Sequence, residues 1–456
     1  MQLQSRPAAL DSDNAYLAYS YSYPHKTAYR NLDAPVSLAD AWANEPTNAL
    51  FLYTHIPFCE MRCGFCNLFT TTNPEEDFVD VYLKSLRRQA AQVSACVADA
   101  SFARMAIGGG TPTFLSATQL DKLFSTLQDV LDAHPSLIPT SVESSPLTAV
   151  PDKITVLEEH GVSRVSIGVQ SFLEDEVRSI GRSQRTSDVM LALERLQEST
   201  IPTINVDLIY GIPEQTHRSW LHSLKTAVSY EPEEIYLYPL YVRPMTGLGN
   251  LRQRKGSDFV AANSDSTDNR LDLYRIGRDY LLSSGYKQAS MRMFQAAHAP
   301  STEGPVYCCQ TDGMIGIGCG ARSYTTNLHY SHNYAVGAKP IMSILQRYVD
   351  CTDEQFARAD YGFVLSEDER KRRFVLQSLL QVEGLDVREY LKTWSGINPV
   401  EEYTVLKQLL GQGFAHVDAG SGAIKLTESG LELSDQIGVW LYSDSVISLM
   451  HEAEVI

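Results

Sequence analysis

Short apolar stretches alternate with longer segments in which apolar residues recur every three or four positions through the first half of the chain. The short stretches predict buried strands, and the longer amphipathic segments predict helices. The predicted strands are residues 50–56, 104–108, 141–144, 164–170, 203–210 and 234–240. The predicted helices between them are residues 77–96, 117–131, 153–160, 186–198 and 215–229.

Strands that are joined by helical crossovers predict parallel βα units. The six predicted strands are fewer than the eight of a closed barrel. The expected fold class is therefore α/β, with an open, partial (β/α)6 barrel over residues 46–255. Active sites of parallel α/β barrels lie at the carboxyl ends of the strands, so we expect the chemistry there.

Residues 1–45 form a predicted N-terminal arm that is rich in tyrosine. Tyrosine and serine alternate along it, which predicts an extended segment with one aromatic face. The favoured interpretation is an arm packed on the barrel. The alternative is a lid over the substrate, in which the aromatic rings together with His25, Lys26 and Arg30 hold a flat or carboxylated molecule.

Two further regions follow the barrel. Residues 256–360 are a predicted extension that opens on a polar loop over 253–269 and continues with a helix over 270–283. Residues 361–456 are a predicted small domain, with helices over 366–380 and 399–412 and a strand pair over 414–417 and 423–426, which together indicate a winged-helix-like α+β cap. Because this region carries no basic stripe, a structural role is favoured over nucleic-acid binding.

Charge and hydropathy narrow the classes of partner. The 456 residues carry a net charge of −17, which argues against nucleic acid and anionic membranes but allows a small anionic substrate held by a few local cations. No run of 18 or more apolar residues occurs, so no transmembrane helix is expected. The N-terminus lacks the apolar core of a signal peptide. These features predict a cytoplasmic protein.

Cys59, Cys63 and Cys66 stand in a C-x3-C-x2-C motif. Three thiolates at such spacing can hold three corners of a [4Fe–4S] cluster and leave the fourth iron open to a small molecule. A zinc site needs four ligands, and apart from His55, four residues upstream, no further ligand lies at finger spacing. Disulfides would leave one of the three cysteines over. The motif therefore favours a cluster.

Other polar and glycine-rich motifs follow the predicted strands. Residues 108–113 read Gly-Gly-Gly-Thr-Pro-Thr, and glycines without a Cβ let the backbone approach a ligand. Glu143, Gln170, Arg182 and Asp207 come at or after the ends of the next three strands. Carboxylates accept hydrogen bonds from ribose hydroxyls, and an arginine fork matches a carboxylate. Convergence on one ligand is favoured over independent structural roles.

These motifs resemble the radical S-adenosylmethionine (SAM) superfamily, and within it the oxygen-independent coproporphyrinogen III oxidase family. The resemblance covers residues 16 to 440 and is carried by residues 21–24, 53–59, 108–113, 166–172, 207–213 and 316–321. That family includes the coproporphyrinogen dehydrogenase, a related heme chaperone and class C radical SAM methyltransferases.

The resemblance implies a [4Fe–4S] cluster on the three cysteines and one SAM, or two as in the dehydrogenase. It implies reductive cleavage of SAM to a 5′-deoxyadenosyl radical, a small-molecule or tetrapyrrole-like substrate, and a low-potential electron donor such as flavodoxin or ferredoxin. Phe65 is expected beside the adenine. The positions implied to bind SAM are Tyr53, Phe65, Gly109, Gly110, Thr111, Glu143, Gln170, Arg182 and Asp207.

One departure from the family bears on the reaction. The dehydrogenase has a fourth cysteine two residues after the triplet, where this chain has Leu68. We therefore expect hydrogen abstraction from an organic substrate other than coproporphyrinogen III. Methyl transfer of the class C type is one alternative, and a non-catalytic heme carrier, to which His25 and Cys319 would be relevant, is another.

Three more cysteines, Cys308, Cys309 and Cys319, lie close together in the sequence. They could hold a second metal or donate hydrogen from a thiol, and Cys319 is the candidate catalytic residue. The favoured interpretation is that they are small buried side chains, because free cysteines commonly are.

Overall fold

The structure is a computed structural model that describes residue 10 and residues 15–97, 99–255, 268–301, 308–394 and 396–453. The strands in chain order are β1 Arg30–Ser37, β2 Leu50–Ile56, β3 Phe58–Cys59, β4 Thr71–Thr72, β5 Phe102–Gly109, β6 Thr140–Ser144, β7 Arg164–Gln170, β8 Thr203–Tyr210, β9 Glu234–Pro239, β10 Lys287–Gln288, β11 Met293–Gln295, β12 Met314–Ile317, β13 Arg322–Tyr324, β14 Leu328–Ser331, β15 Arg358–Val364, β16 Ala415–Val417 and β17 Ile424–Leu426.

The helices in chain order are α1 Leu38–Trp42, α2 Glu76–Cys96, α3 Ala117–Leu131, α4 Pro151–Glu159, α5 Glu174–Ser179, α6 Thr186–Glu198, α7 His217–Ser229, α8 Gly247–Lys255, α9 Arg270–Ser283, α10 Ala338–Val349, α11 Asp353–Phe356, α12 Glu367–Leu379, α13 Val387–Thr393, α14 Pro399–Glu402, α15 Thr404–Gly411, α16 Glu428–Leu431, α17 Ser434–Leu441 and α18 Asp444–Glu452. Among the described residues, no helix is both long and apolar enough to cross a membrane.

The expected open, partial barrel is confirmed. Strands β2, β5, β6, β7, β8 and β9 pair in parallel in that order, with helices between them. The sheet extends beyond this core, because β12 pairs in parallel with β2 and leads through β13, β14 and β15 to β1. At the other edge, β11 pairs antiparallel with β9, and β10 pairs antiparallel with β11. The sequence pattern did not predict these outer strands.

Alternation along the parallel strands gives the barrel a polar lumen. On β7, Val165, Ile167 and Val169 are fully buried, whereas Arg164 and Ser166 on the opposite face contact polar residues of neighbouring strands. Glu143 of β6 pairs with Ser166, and Ser166 pairs with Asn205 of β8, so these polar residues lie on the same face of the sheet. The apolar faces pack on the helices, and the polar faces are left for a ligand.

The N-terminal arm packs along the barrel and the C-terminal helices. Tyr16 and Tyr23 are buried, and the Ser20 hydroxyl donates to the Asp435 carbonyl at 3.1 Å. The rings do not share one face as the alternation predicts. The Tyr19 and Tyr21 rings lie together, with centroids 5.4 Å apart, whereas Tyr23 packs on Tyr442 of the cap and Tyr16 on Tyr210 of β8.

The region after residue 360 contains the predicted helix and the predicted strand pair, which forms the antiparallel hairpin β16–β17. The single helix predicted over 399–412 is wrong: it is divided into α14 and α15 at Tyr403, whose φ of −112° and ψ of 103° are not helical. The predicted polar loop over 253–269 is also wrong at its start, because α8 runs to Lys255. Residues 256–267 lie outside the described residues.

Candidate active site at the mouth of the barrel

The three motif cysteines lie in the loop after β2. Cys59 is on the two-residue strand β3, which pairs with β4 and closes the loop, and the Cys66 amide donates to the Cys63 carbonyl at 3.1 Å. Polar donors point at the sulfur atoms. The Thr111 hydroxyl lies 3.6 Å from Cys59 Sγ, and Arg182 Nη1 lies 3.1 Å from Cys63 Sγ. Such donors stabilise a thiolate that ligates a metal.

Among the described residues, no three His, Cys, Asp or Glu side chains are grouped to hold a single metal ion. In a [4Fe–4S] cube each thiolate binds a different iron, so the three sulfurs stand wider apart than ligands of one ion. Three thiols in one loop, with an N–H and hydroxyls directed at them, are a donor set that fits such a cluster. The residues present therefore fit the cluster that the sequence predicts.

His55 supports the cysteine loop from below. Its Nε2 lies 2.9 Å from the Phe69 carbonyl, and burial lowers the pKa of the ring to about 4. A Cβ added at Gly109 would lie 2.4 Å from the His55 ring, and one at Gly320 would lie 2.8 Å from it. Gly109 and Gly320 must therefore be glycines, because the neutral His55 ring occupies the space that a Cβ would need. From the sequence, His55 was expected only as a potential zinc ligand, so this supporting role was not predicted.

The glycine-rich turn after β5 joins the loop to the sheet. The Gly110 amide donates to the Ile56 carbonyl at 2.8 Å, and the Thr111 amide donates to the Phe58 carbonyl at 2.7 Å. A Cβ added at Gly110 would lie 2.5 Å from the Phe58 oxygen. In this structure, these amides bind the cysteine loop itself. The absence of a Cβ is needed for this close approach.

Glu143 and Asp207 face the lumen from β6 and β8. Glu143 accepts a hydrogen bond from the Gly109 amide at 3.1 Å, and its carboxylate borders the open interior of the barrel. Burial raises its pKa to about 7, and the charge of Asp207 adds to the rise, against the opposing effects of Gly109 and Arg164. Asp207 lies within β8 and not at the strand end where the sequence analysis placed it.

A hydrogen-bonded network fixes Asp207. Asn205 Nδ2 donates to Asp207 Oδ1 and to Ser166 Oγ, both at 2.7 Å, and Ser166 donates to Asp207 Oδ2 at 3.1 Å. Below them Arg164 donates to Glu234 at 2.7 Å. Burial raises the pKa of Asp207 to about 6, although the bond from Asn205 and the Arg164 charge oppose the rise. Sequence reasoning missed Asn205 and Arg164, whose polarity on a strand was the available signal.

Gln170, Arg182, Tyr53 and Phe65 complete the predicted set. Gln170 ends β7 at φ 68°, a left-handed conformation that is uncommon for a residue other than glycine. Besides Cys63, the Arg182 guanidinium donates to the Gln184 side chain and the Gly168 carbonyl, each at 2.7 Å. Arg182 therefore braces the cysteine loop. The Tyr53 hydroxyl lies 3.4 Å from His55 Nδ1.

Phe65 stands on an apolar surface at the carboxyl ends of the strands. It packs on a small cluster that is separate from the main core, and the buried members of that cluster are Ile180, Ile209, Ile212, Leu240 and Leu248. The structure thus places a half-buried aromatic ring next to Cys66 in the sequence and against apolar residues at and after the ends of β8 and β9.

Comparison with known proteins agrees with this geometry. Residues 53–227 match the family model described as the Radical SAM superfamily. The chain is 30% identical to the heme chaperone HemW of Bacillus subtilis over 394 residues, which are 84% of this chain and 97% of that protein. It is 27% identical to the oxygen-independent coproporphyrinogen III oxidase of Escherichia coli over 432 residues, which are 90% and 91% of the two chains.

The chain belongs to the HemN/HemW family of radical SAM proteins. The solved structure of coproporphyrinogen III oxidase (HemN) from Escherichia coli superposes with a TM-score of 0.76 at 25% identity, covering 93% of this chain and 96% of that one. Radical SAM proteins use a [4Fe–4S] cluster and SAM, so the family confirms the predicted cofactors.

Of Cys308, Cys309 and Cys319, which were expected to be small buried side chains, only Cys319 is buried, and the other two are partly exposed. Cys319 is fully buried, its amide donates to the Tyr82 hydroxyl at 2.9 Å, and burial raises its pKa well above the usual range. The thiols of Cys308 and Cys309 both lie near the Gln310 side-chain oxygen, at 3.1 and 3.4 Å. Leu68, at the position of the dehydrogenase's fourth cysteine, is 45% exposed.

Proposed function

We propose that this chain is a radical SAM enzyme that binds a [4Fe–4S] cluster through Cys59, Cys63 and Cys66 and binds SAM across the mouth of the barrel. The observation that carries the proposal is the placement of three donor-surrounded thiols above a polar lumen. A cluster held by these cysteines would pass one electron from a low-potential donor to SAM, which would yield methionine and a 5′-deoxyadenosyl radical able to abstract hydrogen from an organic substrate.

The residues of the mouth have distinct roles in this proposal. Glu143 and Asp207 accept hydrogen bonds from SAM hydroxyl or amino groups, and SAM is cationic, so its binding favours both ionised carboxylates. Phe65 and the apolar cluster beneath it exclude water and pack on the adenine. Arg182 stabilises the Cys63 thiolate through its 3.1 Å contact.

For the reaction itself, we propose hydrogen abstraction from a substrate other than coproporphyrinogen III. This proposal is based on Leu68, which stands where the dehydrogenase has its fourth cysteine. A leucine side chain can neither ligate metal nor transfer a proton. Cys319, the candidate replacement, is fully buried beside Tyr82. Methyl transfer from a second SAM is the close alternative within the same chemistry.

A heme chaperone is the second candidate function. It is favoured by the 30% identity to a protein of that name over 97% of its length. A chaperone would bind heme stably and would need no turnover of it.

The test is anaerobic incubation of the reconstituted protein with coproporphyrinogen III, reductant and SAM, with the Escherichia coli oxidase in parallel and the products read by mass. We expect 5′-deoxyadenosine and no loss of two carboxyl groups. Loss of both carboxyl groups would establish the oxidase reaction instead. S-adenosylhomocysteine would establish methyl transfer. In a parallel incubation with heme, heme retention without 5′-deoxyadenosine would establish the chaperone.

A further inference from the structure

Three cations from distant parts of the sequence meet near the cysteine loop. Lys26 comes from the arm, Arg243 follows β9, and Arg322 begins β13. Within the described ranges, none of the three forms an ion pair with a carboxylate. Asp435, whose charge acts on Arg243, is already bound to Arg292 at 2.5 Å.

Aromatic rings and a hydroxyl surround these cations in place of acids. Lys26 Nζ lies 3.7 Å from the centroid of the Tyr334 ring, and the Arg243 guanidinium lies 4.3 Å from that of Tyr241. Arg322 Nη1 donates to the Ser22 hydroxyl at 3.3 Å. Cation–π contacts and one neutral hydrogen bond compensate only in part for removing charges from water.

The three charges also act on one another. The pKa of Lys26 is lowered to about 7, mainly by burial and also by the charges of Arg322 and Arg243, whereas Cys66 opposes the fall. The Tyr334 ring under Lys26 donates its hydroxyl to the Asn67 carbonyl, next to Cys66.

Arg243 lies in the turn before α8, and the Leu248 amide of α8 donates to the Gly64 carbonyl of the cysteine loop at 2.7 Å. The three charges therefore lie on one side of the cysteine loop. In a chain of net charge −17, this is a local concentration and not a general basic surface.

The other polar residues of the arm already have hydrogen-bond partners. The His25 ring nonetheless borders the same space, because burial and then the charges of Lys26, Arg322 and Arg243 lower its pKa well below the usual range. Arg30 donates to the carbonyls of Thr27 and Tyr29 at 2.9 and 2.8 Å, and the His25 ring bonds to the Thr27 hydroxyl at 2.8 Å. Three polar arm residues were expected to hold a carboxylated molecule: His25, Lys26 and Arg30. Among them, only Lys26 has no hydrogen bond of this kind to the described part of the arm.

We propose that Lys26, Arg243 and Arg322 form an anion subsite that binds carboxylate or phosphate groups of the substrate next to the SAM site. That the bound anionic groups belong to a substrate rests on the proposed function. Anion binding by the subsite can itself be tested without turnover. Guanidinium groups match both anions with paired N–H donors, and the lysine adds a point charge. The arm then serves as a wall of the substrate site.

The experiment is isothermal titration of the cluster-loaded protein with citrate and, separately, with pyrophosphate, at constant ionic strength. The variants are Lys26→Gln and Arg322→Gln, with Arg322→Lys as the charge-conserving partner and Lys122→Gln, exposed on α3, as the matched control. We expect at least one anion to bind, and each loss of charge to weaken it about ten- to a hundredfold. Lys122→Gln should bind as the wild type does, and Arg322→Lys should retain more affinity than Arg322→Gln.

The two anions separate a carboxylate subsite from a phosphate subsite. Equal affinity of the wild type and both glutamine variants would overturn the proposal, as would a wild type that cleaves SAM but binds neither anion. A wild type that binds an anion through these residues but forms no 5′-deoxyadenosine with any substrate would instead contradict the proposed function and leave the subsite standing.

Discussion

The mouth of the barrel has two sides that are assembled in different ways. The cluster side consists of residues 53–72 and the glycine-rich turn 108–113, which are near one another in the sequence and joined by backbone hydrogen bonds. The cation side consists of Lys26, Arg243 and Arg322, which come from an arm, a loop and an outer strand. The cluster side is therefore determined by residues close in the sequence, whereas the residues of the cation side meet only in the complete fold.

This difference matches a division of labour. The cluster side holds the features shared with radical SAM proteins, since the family match begins at residue 53. The cation side lies largely outside that match, in segments where a family can vary what it binds without changing the core reaction. We therefore expect reaction type to depend on the cluster side and substrate choice on the cation side.

The largest effect is expected on the cluster side. Replacing Cys59, Cys63 or Cys66 by Ala should remove nearly all iron after anaerobic reconstitution, because the cluster has no other thiolates in this loop. Iron per chain and the visible absorbance measure it. Cys96→Ala, at the end of α2, is the control and should keep its iron.

Iron retained at four per chain in the triple variant would disprove the assignment. A loss equally complete in Cys319→Ala would show that the cluster is not confined to the cluster side.

The second effect concerns the lumen between the two sides. Glu143→Ala, Gln170→Ala and Asp207→Ala should keep their iron and weaken SAM binding about ten- to a hundredfold, because each loses a polar contact of roughly 1.5–3 kcal/mol. Arg182→Ala should also lower the iron content, since Arg182 contacts Cys63. Titration with SAM and iron analysis measure both.

Glu159→Gln, exposed on α4, is the control for these variants and should bind SAM normally. If the three lumen variants and Arg182→Ala all bound SAM as the wild type does, these four residues would not belong to the SAM site.

The sequence predicted the core of the fold and the cluster side closely. Strands 164–170 and 203–210 agree with β7 and β8 at both ends, because apolar residues recur at every second position in both segments, which is a strand signal. The shorter outer strands were missed because two to four residues, as in Met293–Gln295, are too few for a periodic signal. Length does not explain β1 and β15, which have eight and seven residues; β1 lies in the predicted arm, and β15 crosses the expected boundary at residue 360.

Contacts between distant segments explain the other omissions. Arg182 was expected to bind a carboxylate, and only the folded loop reveals its contact with Cys63. Likewise, the volume of His55 explains two glycines that are far apart in the sequence, Gly109 and Gly320. Neither relation has a local pattern that a reader of the sequence could detect.

The smallest effect is a pH dependence of stability that belongs to the lumen. The folded-state pKa of Glu143 is about 7, against 4.5 as the ordinary value, so the folded protein binds more protons than the unfolded chain between these pH values. Stability from this residue is therefore present below pH 4.5 and is lost as the pH rises to about 7. Glu143→Gln cannot titrate, so relative to it the wild type should be less stable at pH 8 than at pH 4.5. The difference should stay at about 1 kcal/mol, because the open lumen lets solvent screen the charge. Urea unfolding of both proteins without cofactors at the two pH values measures it, and an equal difference at both would show that Glu143 is not held in the lumen as described.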